Sequence, residues 1–126
     1  MTVETTTLKR ILLADDNGGL RHSLAVALQD RGYQTIEATS GREAWDIGRV
    51  QRPHLSLLDI NMPDMTGVDV YKGWLSEGLR MPVIFMTAEA SDTLRQQALV
   101  LGAISILSKP FGAAEFLRLV RNALTE

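Results

Sequence analysis

Five short apolar runs, each followed by a stretch of helical periodicity, constrain this chain more than any other feature. Lys9–Ala14 (KRILLA), Tyr33–Ala38, Leu55–Leu58, Pro82–Met86 and Ile104–Leu107 each have the length and apolar character of a buried strand. Between and after them, apolar residues recur at three- and four-residue spacing: Leu20, Leu24, Ala27 and Leu28; Ala44 and Ile47; Val70, Tyr71, Trp74 and Leu75; Leu94, Ala98 and Leu101; Phe116, Val120, Ala123 and Leu124. Ser40–Glu43 and Thr66–Asp69 match capping boxes that open the second and third helices. Gly32 and Gly102 close the first and fourth. Gly18–Gly19 falls in the first turn of the first helix, against helix propensity, and no local pattern accounts for it. Strict strand–helix alternation implies right-handed crossovers and a parallel sheet covered by helices on both faces, an α/β fold of (βα)5 type.

The chain has 126 residues, enough for one domain with a real core. No linker, repeat or low-complexity segment divides it, so residues 9–126 read as one domain behind a disordered lead-in, residues 1–8. A formal net charge of -2 argues against a general nucleic-acid binder. The absence of cysteine removes disulfides, thiolate metal sites and cysteine nucleophiles. The threonine-rich start lacks the apolar centre of a signal peptide, and Ala98–Leu107 is too short and interrupted to cross a bilayer. A soluble, cytoplasmic protein without membrane contact is expected.

The polar residues that end the strands carry the chemistry. Asp15–Asp16 follows the first strand, Asp59 the third, Thr87 the fourth and Lys109 the fifth. Each alone is an ordinary turn or cap residue. Carboxyl ends of parallel strands share one edge of the sheet, so together these residues converge where α/β sheets bind ligands. Three neighbouring carboxylates repel one another, and a hard divalent cation relieves that repulsion. Magnesium suits one or two carboxylates plus water or phosphate oxygens. Lysine adds a point charge for a phosphate oxygen, and the Thr87 hydroxyl is a donor for another. The set suits phosphoryl transfer to a carboxylate, with Asp59 as nucleophile.

In LLADD at 12–16, LLDINMPDMTG at 57–67, PVIFMTA at 82–88 and SKPF at 108–111, the sequence resembles the receiver domains of two-component response regulators. The likeness covers about residues 9–125. It implies a doubly wound, flavodoxin-like parallel sheet of five strands in the order 2-1-3-4-5. By position, Asp59 resembles the phosphorylated aspartate. Asp16 and Asp59 resemble the magnesium ligands, the backbone carbonyl of Asn61 the third protein ligand, and Asp15 an indirect ligand through water. Thr87 resembles the switch hydroxyl and Lys109 the phosphate-binding lysine, its bond to Pro110 cis. The partners implied are a histidine kinase or phosphotransfer protein, and a downstream protein reading the face of the fourth helix, fifth strand and fifth helix. The domain would be a monomer or weak dimer that catalyses only its own phosphorylation and dephosphorylation.

Two positions depart from the family pattern. Ile106 stands where an aromatic residue usually accompanies the threonine's movement, and Gly112 replaces a polar cap before the last helix. Three other readings compete. A haloacid-dehalogenase-like phosphatase needs a second aspartate where this chain has Asn61. A receiver-like binding module that does without phosphorylation would leave the complete acid, threonine and lysine set unexplained. A receiver cut from a longer DNA-binding regulator is the third. His22 and His54 have no partner at ligand spacing, and Trp45 and Trp74 are expected to cover helix–sheet contacts.

Overall fold

The computed structural model describes residues 8–125. The expected lead-in therefore lies outside the described residues apart from Leu8, which is exposed and belongs to no element. The order is β1 (Arg10–Ala14), α1 (Gly18–Gln29), β2 (Gln34–Ala38), α2 (Gly41–Gln51), β3 (Leu55–Asp59), α3 (Gly67–Ser76), β4 (Val83–Thr87), α4 (Asp92–Leu101), β5 (Ser105–Ser108) and α5 (Ala113–Leu124). All pairings are parallel, and the five-stranded sheet runs β2-β1-β3-β4-β5. The alternation is as the sequence pattern implies, and the strand order as the resemblance implies.

Several strands sit a residue later than their apolar runs. β3 takes in Asp59, β4 takes in Thr87, and β5 runs from Ser105 to Ser108 rather than from Ile104 to Leu107. Ladder bonding, not hydropathy, sets the ends: Asp59 pairs with Met86 and Thr87 with Ser108. The polar strand-end residues are thus held by the sheet itself.

Side-chain alternation divides the core. Leu12, Ala14, Leu58, Val83 and Phe85 face α2, α3 and α4, whereas Ile11, Leu13, Leu55, Leu57, Ile84 and Met86 face α1 and α5. β1, β3 and β4 are almost wholly buried, as a sheet covered on both faces requires. Each fully buried large apolar side chain contributes about 1.5–3 kcal/mol.

The helix starts explain the sequence irregularities. Asn17 caps α1, its side chain accepting from Leu20 N–H at 3.0 Å, so the helix starts at Gly18–Gly19 on the strength of its cap. Thr66 and Asp69 form the reciprocal capping box of α3. At α2 only half of the expected box is present. Ser40 accepts from Glu43 N–H, but the Glu43 carboxylate takes the N–H of Thr39 at 2.7 Å instead of that of Ser40. Gly112 caps α5 with no side-chain bond.

Both tryptophans pack where helices meet the sheet, as expected, and they also join α2 to α3. Trp74 is fully buried between the sheet and α2, donating Nε1–H to the Trp45 carbonyl at 3.1 Å. A Cβ on Gly48 of α2 would stand 2.1 Å from Trp74 Cζ2, so only glycine admits this approach. Trp45 lies under the Arg42 and Arg49 guanidiniums, 5.0 and 4.6 Å from its ring centroid. Those arginines stand on its own helix, and its Nε1 edge faces Gly73 of α3, where a Cβ would come to 3.0 Å.

Candidate functional site

Four strand ends build the site. β1 delivers Asp15 and Asp16, β3 Asp59, β4 Thr87 and β5 Lys109. Asp15, Asp59 and Thr87 are buried with relative exposures of 1%, 4% and 1%, while Asp16 faces solvent. Carboxylate oxygens of Asp15, Asp16 and Asp59 all lie within 4.8 Å of one another. Lys109 Nζ bonds Asp15 Oδ2 at 2.8 Å and stands 3.5 Å from Asp59 Oδ1. The ammonium spans β3 and β4 to reach the acid of β1.

The electrostatics are unbalanced. Burial, then the neighbouring Asp15 charge, push the Asp59 carboxyl from its ordinary 3.8 up to about 6. Lys109 and the Asn61 N–H, which donates to Asp59 Oδ1 at 3.3 Å, offset this only partly. Burial also opposes charge on Lys109, but its hydrogen bond to Asp15 and the Asp59 charge outweigh it and raise its pKa. Oxygen donors gathered around an incompletely compensated negative charge fit a hard divalent cation.

The loops beside the acids are closely built. A Cβ at Gly67 would stand 2.5 Å from the Asp59 carbonyl oxygen, so the chain must carry glycine where it folds back on the strand end. Thr87 is tied through its main chain and its hydroxyl. Its carbonyl accepts from Lys109 N–H at 2.7 Å, and its Oγ1 accepts from Glu89 N–H at 3.1 Å. The hydroxyl proton remains available to an acceptor. Lys109–Pro110 is cis, as the resemblance implied.

All the strand-end residues singled out in the sequence come to this edge. Asn61 lies on the loop that leaves Asp59 and meets it through its N–H. Neither histidine belongs to the site. His22 is exposed, whereas His54 Nδ1 accepts from Arg10 N–H at 2.9 Å, and burial lowers its pKa. Two supporting residues were missed. Arg21 donates Nη1–H to the Asp15 carbonyl at 2.7 Å and Nε–H to Glu37 at 2.9 Å. The Asp64 carboxylate accepts from Gly41 and Arg42 N–H, both at 2.9 Å, clamping the β3–α3 loop to the start of α2. Those amide bonds, first that of Arg42, lower its pKa. The only sequence signal for Arg21 was its place one helical turn after Asn17.

The family model of the response regulator receiver domain matches residues 11–121. The chain belongs to this family. Among curated relatives, this receiver is 37% identical over 117 residues to the transcriptional regulatory protein KdpE of Mycobacterium tuberculosis, covering 90% of this chain and 50% of that one. It is 36% identical over 118 residues to the sporulation initiation phosphotransferase F of Bacillus subtilis, covering 92% and 94%. Thus it spans about half the length of KdpE but nearly all of the sporulation protein. The chemotaxis protein CheY4 of Vibrio cholerae superposes with a TM-score of 0.86 at 30% identity, covering 94% of this chain and 100% of that one. Receivers are signalling modules of two-component systems. Among the described residues no helix is long and apolar enough to cross a membrane.

Proposed function

We propose that this receiver accepts a phosphoryl group on Asp59 from a histidine kinase or a phosphotransfer protein. The observation that supports it best is the placing of Asp59: a buried strand-end carboxylate with Lys109 Nζ at 3.5 Å and two further aspartates beside it. An Asp59 oxygen attacks phosphorus, the nitrogen–phosphorus bond of the donor breaks, and an acyl phosphate forms. Lys109 stands ready to exchange part of its bond with Asp15 for a phosphoryl oxygen. Asp16, Asp59 and the Asn61 carbonyl would hold Mg2+ directly, with Asp15 indirect. A bound Mg2+ supplies positive charge to the carboxylates and to phosphoryl oxygens. The receiver spans residues 9–126 and acts in the cytoplasm, as a monomer or weak dimer, on protein partners rather than DNA.

The new phosphate offers Thr87 a charged acceptor, and such a bond is worth about 1.5–3 kcal/mol. Because Glu89 N–H is bonded to the same hydroxyl, inward movement of Thr87 pulls on the loop entering α4. The readout surface is the α4–β5–α5 face. The likeness spans half of KdpE and nearly all of the sporulation phosphotransferase, so the reading holds whether or not a DNA-binding domain accompanies the receiver.

Acetyl phosphate followed by intact mass spectrometry tests the assignment. Wild type gains one phosphoryl group with magnesium and none with a chelator, and Asp59→Asn gains none. A phosphoryl group on Asp59→Asn at comparable yield overturns it.

A further inference from the structure

We propose a second ligand site on the α1–α5 face, a pocket for a phosphorylated small molecule with a planar ring, of the nucleotide class. The pocket is a concavity of about 420 Å³ between the α1–β2 turn and α5, lined by Arg31, Tyr33, Ala114, Leu117, Arg118 and Arg121. Pockets of roughly 300–1,000 Å³ are the usual size for small ligands.

The charge in it is uncompensated. No carboxylate oxygen of the described residues comes within 4.0 Å of Arg31, Arg118 or Arg121, although Asp30 and Glu115 are close to them in sequence. No side-chain hydrogen bond holds any of these guanidiniums among the described residues, whereas Arg21, Arg42, Arg49 and Arg95 all have partners. Three arginines converge on one hollow of a chain with a net charge of -2. Planar guanidinium forks match phosphate oxygens in pairs, which lysine does not do.

The rest of the lining selects a ring over a bare anion. Tyr33 and Leu117 are half-buried and pack against the α1–α5 core, so each shows one apolar surface to the hollow. A purine or pyrimidine stacks on a tyrosine ring, and its phosphates then extend toward the arginines. The walls are fixed. Tyr33 N–H donates to the Leu28 carbonyl at 3.2 Å and Gly32 N–H to the Gln29 carbonyl at 3.0 Å, locking the turn that carries Arg31 and Tyr33. Arg118 and Arg121 stand on consecutive turns of one helix. An extended acidic peptide finds a short hollow here rather than a groove.

Amide and guanidinium NMR titration of the whole chain with ADP, pyrophosphate, adenosine and a hexaglutamate peptide tests this. ADP is expected to saturate below millimolar concentration, shifting Arg31, Tyr33, Leu117, Arg118 and Arg121 but not Asp59. Pyrophosphate is expected to bind at least tenfold more weakly and adenosine weaker still. Arg118→Gln combined with Arg121→Gln should reduce ADP affinity at least tenfold, and Tyr33→Leu should bring ADP down to the pyrophosphate level. Beryllofluoride shifts at the Asp59 site serve as the folding control for both variants. The proposal is overturned if ADP gives no saturable shift, if pyrophosphate or the peptide binds as tightly as ADP, or if the double variant binds ADP unchanged.

Discussion

The two flanks of the Asp59 pocket are packed very differently. On the α2–α3 flank, Trp74 fills the space above Gly48, Trp45 lies beneath two arginines, and Asp64 ties the β3–α3 loop to the start of α2. On the α4–β5 flank, Ala98 is the one helix residue fully buried, while Leu99 and Val100 are 61% and 83% exposed. In β5 only Leu107 is buried; Ser105 and Ile106 are half-buried and Ser108 is exposed. A cavity of about 150 Å³ lies between α4 and β5, beside Ile106. Under the proposed function, a phosphoryl group on Asp59 would meet a tightly packed wall on one side and a thinly packed element on the other. Local opening is cheapest where few apolar contacts must be broken, so motion is directed toward α4.

The comparison breaks first at Gly48. Helix propensity alone would make Gly48→Ala stabilising by up to about 1 kcal/mol. The Cβ clash with Trp74 reverses the sign, and a loss of about 3 kcal/mol or more is expected in urea unfolding. A neutral result would mean that the α2–α3 flank yields as easily as α4.

Thr87→Ala should produce the next largest effect. In wild type, beryllofluoride with magnesium is expected to shift amides from Ala88 to Leu101, with little side-chain change at Ile106. Removing the hydroxyl removes a bias of roughly tenfold or more, so those shifts collapse while those near Asp59 remain. Persistence of the α4 shifts would show that another route crosses the flank.

Asp59→Asn sharpens the contrast from the pocket itself. A carboxyl whose pKa is higher in the folded chain takes up a proton on folding. Its ionisation therefore costs stability as pH rises from 3.8 to about 6, and the cost stays constant above that. Without divalent cations, the variant should match wild type at pH 4 and exceed it at pH 7.5 by on the order of 1 kcal/mol after solvent screening. Paired denaturant titrations at the two pH values check the sign. The smallest effect belongs to Val100→Ala, within about 0.5 kcal/mol of wild type, because the side chain leaves little surface buried to lose.

What could be read from the sequence follows the same division between local and distant. Strand and helix periodicity, Gly102, and the Thr66–Asp69 box are local signals, and each appears where its spacing placed it. Strand ends moved by a residue because the ladder continues through Asp59 and Thr87. The convergence of Asp15, Asp16, Asp59 and Lys109 was legible because parallel topology fixes which strand ends share an edge. The Glu43 bond to Thr39, the Asp64 clamp, the Arg21 support and the Trp74–Gly48 contact were not. Each joins residues through space, and neither periodicity nor composition encodes which helix a side chain will meet.

The Lys109–Asp15 pair joins residues 94 positions apart in sequence, the far edge strand to the first. During synthesis the acids of β1 and β3 leave the ribosome long before the lysine that neutralises them. A nascent chain ending at Leu101 carries both buried aspartates and no Lys109, so closing the acidic edge at that length would bury like charge without its counter-ion. Early assembly of the N-terminal strands is penalised, and arrival of the last strand completes the charge balance of the first. The ion pair thereby ties the charge balance of the first strand to completion of the last.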